Sequence, residues 1–241
     1  MSSRMLEKAE SKWRNEDYLG AIRDYEKIVE EFPETPVVSE AQYWEGVIRF
    51  LYLDDPENAI RAFKEVIGAK LSMVQERSQE ARQYLADIYE KKLARPRDAI
   101  SIYEEIIEKS ADLEEILEKR YKIGALYYEM GDLTQARVEW DLLISRAPKS
   151  PLVPEALYRK GGTYFVVGNC REALKIYKEI YTNYAHDKMS EFAKFRAANC
   201  LEMEHHPKEA LALYQELIGI YPDQDVIIEK VKSLESISIN E

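Results

Sequence analysis

The sequence predicts an all-α chain of about six helix pairs, stacked as an α-solenoid and closed by a C-terminal capping helix. Three observations carry that expectation. Gly and Pro number only 9 each in 241 residues, below average usage of about 7% and 5% and too few for the turns and bulges of a β-rich fold. A pattern of Ala followed four residues later by an aromatic recurs six times at nearly constant spacing. An apolar share of 46% beside a charged share of 33% supplies both a core and solvated helix faces, which excludes a disordered chain.

The recurring pairs are Ala21 and Tyr25, Ala59 and Phe63, Ala99 and Tyr103, Ala136 and Trp140, Ala173 and Tyr177, and Ala210 and Tyr214. Their Ala positions lie 38, 40, 37, 37 and 37 residues apart. An aliphatic residue follows three places after each aromatic: Ile28, Val66, Ile106, Leu143, Ile180 and Leu217. That i, i+4, i+7 spacing sets a small, a flat and a branched side chain on one helical face. A preceding helix in each repeat is marked by a small residue. Ala9, Gly124, Gly161 and Ala198 stand 12 positions before the Ala, while Gly46 and Ala86 stand 13 before it, which predicts one extra loop residue in repeats two and three. Gly inside a helix costs about 1 kcal/mol, so its recurrence predicts close approach of a neighbouring helix.

Turns are expected at Asp54-Asp55-Pro56, Gly131-Asp132 and Gly168-Asn169 within repeats, and at Pro33, Pro148 and Pro222 between them. The repeats then span about 3–33, 38–71, 75–111, 113–148, 152–185 and 190–222. Residues 223–241, with Val226, Ile227, Val231 and Leu234 in helical register, read as the cap that covers the last repeat.

The order of small residue, aromatic, Gly turn, Ala, aromatic and terminal Pro resembles the tetratricopeptide repeat. It is clearest in Ala156-Leu157-Tyr158-Arg159-Lys160-Gly161-Gly162-Thr163-Tyr164, followed by Gly168, Ala173 and Tyr177, and it covers residues 3 to 222. The family's repeat is about 34 residues; the surplus here lies mainly in linkers such as Ala147-Pro148-Lys149-Ser150-Pro151. That lengthened linker resembles the subclass found in bacterial outer-membrane assembly lipoproteins and the Tol-Pal coordinator. Two features depart from the family pattern: the last small position of the second helix is large in every repeat, and Leu71, Ala111 and Ala185 replace the terminal Pro.

The resemblance implies a right-handed α-solenoid, and a non-enzymatic scaffold or adaptor whose first helices line a concave groove. A row taken at spacings of 3, 4 and 3 along those helices brings Tyr43, Phe50, Tyr121, Tyr128, Tyr158, Phe165 and Phe195 into the groove with Glu40, Glu80, Glu118 and Glu155. Aromatics with a column of carboxylates suit a basic, partly apolar peptide or helix. The second-helix aromatics, Tyr25 to Tyr214, read as core. For Tyr43, Tyr121, Tyr158 and Phe195 both inter-repeat packing and partner contact stay open. The clamp by which co-chaperone members grip a terminal carboxylate needs cationic donors, and Leu6, Tyr43, Gln83, Tyr121, Tyr158 and Phe195 occupy the matching sites, so no such clamp is expected.

The remaining classes find little support. A formal net charge of −11 argues against nucleic acid, including a helical-repeat RNA-processing factor suggested by Trp13, Trp44 and Trp140. No apolar stretch approaches the roughly 20 residues of a membrane span, and the first residues hold no apolar signal core. A cytoplasmic location is expected, or a periplasmic envelope-assembly subunit if a signal was removed. Cys170 and Cys200 are far apart in sequence, and Cys200 with His205 and His206 reads as a buried thiol beside surface histidines, short of the four ligands of a zinc site. No catalytic motif, metal or cofactor is expected. Self-association through Leu6 and Trp13 stays open.

Overall fold

The computed structural model describes residues 2–33, 35–69 and 75–238. These form thirteen α-helices, with no strand among the described residues. Six pairs follow in order: α1 (Ser2–Arg14) with α2 (Tyr18–Glu31), α3 (Pro36–Leu51) with α4 (Pro56–Gly68), and α5 (Gln75–Asp87), continued by a π-helical turn over Ile88–Lys92, with α6 (Pro96–Lys109). Then come α7 (Leu113–Glu129) with α8 (Leu133–Arg146), α9 (Val153–Val166) with α10 (Cys170–Asn183), and α11 (Met189–Met203) with α12 (Pro207–Gln215). A last described helix, α13 (Gln224–Ser238), follows them. The all-α expectation holds; Leu71, expected to close the second repeat, lies outside the described residues. No helix among the described residues is long and apolar enough to cross a membrane. The chain divides into two compact units, Met1–Lys119 and Arg120–Glu241, with the boundary inside α7.

The second-helix columns are the core of both units. All six Ala of the pattern and all six aromatics, Tyr25, Phe63, Tyr103, Trp140, Tyr177 and Tyr214, are fully buried. Each such aromatic stabilises its repeat by about 1.5–3 kcal/mol through burial alone. The aliphatic that follows, from Ile28 to Leu217, is buried as well, so these large side chains fill the positions where the family pattern has a small one. The recurring small residue of the first helix lies directly against the aromatic of the second. A Cβ added to Gly46 would meet the Phe63 ring at 2.7 Å, one on Gly124 the Trp140 indole at 2.5 Å, and one on Gly161 the Tyr177 ring at 2.7 Å. The helix propensity lost at these glycines is exchanged for ring-on-backbone packing.

Every turn within a repeat has one residue with positive φ five places before the repeat's Ala: Glu16, Asp54, Ala94, Gly131, Gly168 and His205. The next residue caps the second helix. Asp17, Asp55, Asp132 and Asn169 accept hydrogen bonds from backbone N–H groups three residues on, as N-caps do. Asp17, Asp132, Asn169 and His206 each donate their own N–H to the carbonyl five residues back, whereas Asp55 and Arg95 reach six back. The extra residue of repeats two and three is therefore not in the loop, as the sequence suggests. It is taken up in the last turn of the first helix, where Leu53 and Leu93 donate to carbonyls five residues earlier, Ile48 and Ile88, a π-type insertion.

In the second unit α13 lays Ile227, Val231 and Leu234 on a cluster with Ala198, Leu201, Tyr214 and Leu217, covering the apolar face that α11 and α12 would otherwise expose. At the other end of the chain Leu6 and Trp13 pack on the first-unit core, and Trp13 meets Trp44 at 4.9 Å between ring centroids.

Candidate protein-binding site

In the first unit the expected acidic and aromatic residues are already engaged by a side chain that the row does not include. Arg77, on α5, donates from Nε and Nη2 to the two oxygens of Glu40 at 2.8 and 2.9 Å, and from Nη1 to Glu80 at 2.6 Å. Its guanidinium lies 4.5 Å from the Tyr43 ring centroid and 5.6 Å from that of Trp44, and Trp44 Nε1 donates to Glu40 at 2.8 Å. The hydrogen bonds that Arg77 donates to Glu40, then the one to Glu80, hold it in its charged form and push its pKa up. Tyr43 is 5% exposed, enclosed by Trp44, Phe63 and Tyr84. Burial first, then Glu80, raises its phenol. Of the two uses left open for Tyr43, packing is the one the geometry provides. Phe50 is half-buried against Tyr84. Glu118 is exposed, with the buried Lys119 ammonium 3.3 Å away.

One buried carboxylate of this unit has no counterpart in the sequence reading. Asp24, on α2, points at α1, where Lys12 Nζ lies 2.6 Å and Lys8 Nζ 3.4 Å from its Oδ2. Burial alone would raise this carboxyl, but the hydrogen bonds and charges of Lys12 and Lys8 outweigh it and hold the pKa below the ordinary Asp value.

The second unit has the more open geometry. Tyr128, Tyr158 and Phe165 share a cavity of about 320 Å³ with Gly162, Arg159 and Arg196. α7, α9 and α11 supply these side chains, so the cavity lies on the face made by first helices. The Arg196 guanidinium lies over the Phe165 ring at 5.0 Å and its Nε donates to the Tyr158 hydroxyl at 3.4 Å. Tyr158 is set by the core beneath it, its ring 5.8 Å from that of Tyr177. Gly162 leaves the cavity open: a Cβ there would meet nothing within 4 Å.

Tyr121 and Glu155 bind each other instead, the phenol donating to Glu155 Oε1 at 2.8 Å, and burial followed by that bond raises the Tyr121 pKa. Phe195 turns towards the C-terminal end, stacked on Tyr221 at 4.8 Å and edge-on to Tyr214 at 5.9 Å. The row thus separates: three of its aromatics line a cavity, Tyr43 and Phe195 pack within their units, and three of its four glutamates are held by Arg77 or Tyr121. Arg77, Arg159 and Arg196 are the site residues that sequence reasoning missed. The available signal was helical register, since Arg77 lies three before Glu80 and Arg196 four after Phe192.

The cysteines, distant in sequence, are neighbours in space. Both are free and buried, Cys170 Sγ lies 3.6 Å from Met203 Sδ, and burial together with a hydrogen bond to Cys170 pushes the Cys200 thiol up. His206 instead faces Glu209, at 3.4 Å. Among the described residues no group of three or more His, Cys, Asp or Glu is placed to hold a metal ion.

Comparison with known proteins agrees with this architecture. Two family models described as tetratricopeptide repeats match the chain, one at residues 120–150 and 192–223, the other at residues 6–51. Over those residues the chain matches tetratricopeptide repeats. Among solved structures it is similar to the apo form of RapI, with a TM-score of 0.65 at 14% identity over 99% of this chain and 72% of that one. It is also similar to PilW, a widely conserved type IV pilus biogenesis factor, with a TM-score of 0.53 at 14% identity over 97% of each chain. A putative kinesin light chain from Podosopora anserina with nearly identical TPR-like repeats gives a TM-score of 0.52 at 14% identity, over 85% of this chain and 98% of that one. At these identities the likeness is one of fold. No curated protein sequence matches the chain.

Proposed function

We propose that this protein is a non-enzymatic scaffold that captures a short segment of a protein partner on the face lined by its first helices, with the cavity bounded by Tyr128, Tyr158 and Phe165 as the anchoring point. The carrying observation is that cavity: aromatic walls, polar tips at Tyr128 and Tyr158, and a glycine that leaves room for a guest side chain. Rigid aromatics offer large contact area at little entropic cost, which suits the hot spot of an interface. A basic partner residue, the guest suggested by the glutamate column, would have to displace Arg77 from Glu40 and Glu80, which is why the anchoring point is assigned to the second unit.

The test is affinity purification from the native source with wild type and with Gly162→Trp, whose indole would fill the cavity. A partner recovered by wild type and lost with the filled cavity supports the reading. Partners recovered equally by both proteins would sink it.

A second reading, an envelope-assembly subunit, draws on the linker between α8 and α9. There Ser150 Oγ accepts from the Leu152 N–H at 3.3 Å and Pro154 opens α9, which gives the lengthened Pro-Ser-Pro segment a defined conformation. A signal or lipobox encoded upstream of Met1 in the gene would support it, and an uninterrupted cytoplasmic reading frame without either would reject it.

A further inference from the structure

We infer that the cavity of the second unit recognises an acidic side chain, an Asp or Glu of the partner segment next to an apolar residue, with Arg196 as the carboxylate-binding group and Arg159 beside it. This rests on the scaffold reading above and specifies its ligand. In a chain with a net charge of −11, the residues lining this cavity include two arginines and no carboxylate.

Arg196 is the unusual one of the two. It is half-buried, and its protein contacts are the Tyr158 hydroxyl and the Phe165 ring. No carboxylate lies within ion-pair distance of it among the described residues. The other arginines of similar or deeper burial are satisfied: Arg49, Arg77, Arg82 and Arg120 hold carboxylates, and Arg137 donates to the hydroxyls of Thr163 and Thr134. A guanidinium has five N–H donors in a planar fork. Arg196 directs one at a phenol and keeps the rest without a protein acceptor, beside an open volume of about 320 Å³. Withdrawing such a group from water without an acceptor is unfavourable, and a carboxylate entering edge-on would reverse that cost through paired charge-assisted bonds. Phe165 packs on one side of the guanidinium, 5.0 Å from its carbon, and the N–H groups other than Nε are the ones available to a guest.

Arg159 is a second guanidinium on the same wall, 48% exposed and 3.9 Å from Glu155, so it has N–H donors left for the guest. The apolar rim, with Phe165 and the 61%-exposed Val166, is the reason for specifying an apolar neighbour to the acidic residue. These two arginines are not at the positions where the family's terminal-carboxylate clamp has its donors; Tyr158 and Phe195 occupy those. The guest is therefore assigned as a side-chain carboxylate within a segment.

The experiment uses the full chain to pan random 12-residue peptides displayed through their C-termini, so that no free terminal carboxylate is presented. Gly162→Trp, Arg196→Gln and Arg196→Lys are panned in parallel, and each variant's thermal unfolding is checked against wild type. The expected result is enrichment of Asp or Glu beside an apolar residue on wild type. A representative amidated peptide should then lose affinity about tenfold to hundredfold with Arg196→Gln, less with Arg196→Lys, and similarly when its acidic residue becomes the amide. Peptides that depend on the open cavity but carry no acidic residue, or that bind Arg196→Gln as well as wild type, overturn the carboxylate assignment and leave the scaffold reading standing. Failure of any peptide to prefer wild type over Gly162→Trp overturns both.

Discussion

Gly161 lies under the ring of Tyr177 so closely that a Cβ would approach Cε1 to 2.7 Å, while its neighbour Gly162 has nothing within 4 Å of the same position. The two glycines are adjacent in sequence and opposite in role, one closing the α9–α10 contact and the other opening the cavity. Gly161→Ala is expected to destabilise by about 1–2 kcal/mol, because overpacking of 1–3 kcal/mol outweighs the helix propensity gained. Gly162→Ala is expected to stabilise by about 0.5–1 kcal/mol, since it gains propensity and meets no atom. Urea unfolding of the two variants checks this, and equal shifts for both would show that the ring contact is not limiting.

The inter-helix turns supply a second pair of opposed effects. Ala94 has φ +48° at the same point of its turn where Gly168 has φ +75°. A residue with a Cβ is strained in this region by about 1–2 kcal/mol, and glycine is not. Ala94→Gly should therefore stabilise by up to about 1 kcal/mol after the added entropy of the unfolded chain is subtracted, and Gly168→Ala should destabilise by about 1 kcal/mol. Thermal melts that moved both variants in the same direction would contradict the shared turn geometry.

These pairs also show where the sequence is legible. The second-helix column can be read because an i, i+4, i+7 face repeated at 37 to 40 residues has one physical use, burial. The small residues could be paired with the aromatics because both are set by one helix–helix contact. The positive-φ position is legible at Gly131 and Gly168 but hidden at Glu16, Asp54, Ala94 and His205, whose residue types do not require that conformation. The extra residue of repeats two and three is countable but not locatable, since only the hydrogen bonds of Leu53 and Leu93 assign it to the helix end. The candidate site suffers most. A row of fixed spacing follows Cα positions, whereas Arg77 and Arg196 act through long side chains that reach over neighbouring turns, and Phe195 is turned away by Tyr214 and Tyr221.

Asp24 predicts an acid limb of stability. Its folded pKa is lowered below 3.8, so the ionised form favours the folded state. The contribution is fully present above the unfolded value of about 3.9, and is lost as pH falls through the lower folded value. Asp24→Asn, which leaves Lys12 and Lys8 without their shared carboxylate, should cost about 1–3 kcal/mol near pH 7. The gap between wild type and variant should stay constant down to about pH 5 and narrow progressively below about pH 4. Urea midpoints measured from pH 7 to pH 3 test this, and a gap that did not narrow at all between pH 5 and pH 3 would mean that the packing of Asp24, not its charge, is what counts.

Arg77 separates the two possible locations of partner contact. Arg77→Met removes the fork that holds Glu40 and Glu80 and strips the cover from Tyr43 and Trp44, exposing two carboxylates and two rings. The pair is partly solvent-exposed, so the stability lost should be modest, about 1–2 kcal/mol, and Arg77→Lys should recover only part of it because an ammonium cannot bridge both carboxylates in the same bidentate manner. If a basic partner residue bound at Glu40 and Glu80, removing its internal competitor would tighten binding. With the anchoring point in the second unit, Arg77→Met should leave partner recovery at the wild-type level while Gly162→Trp abolishes it. A partner whose affinity rose about tenfold with Arg77→Met would place the contact on the first unit and identify Arg77 as the side chain it displaces.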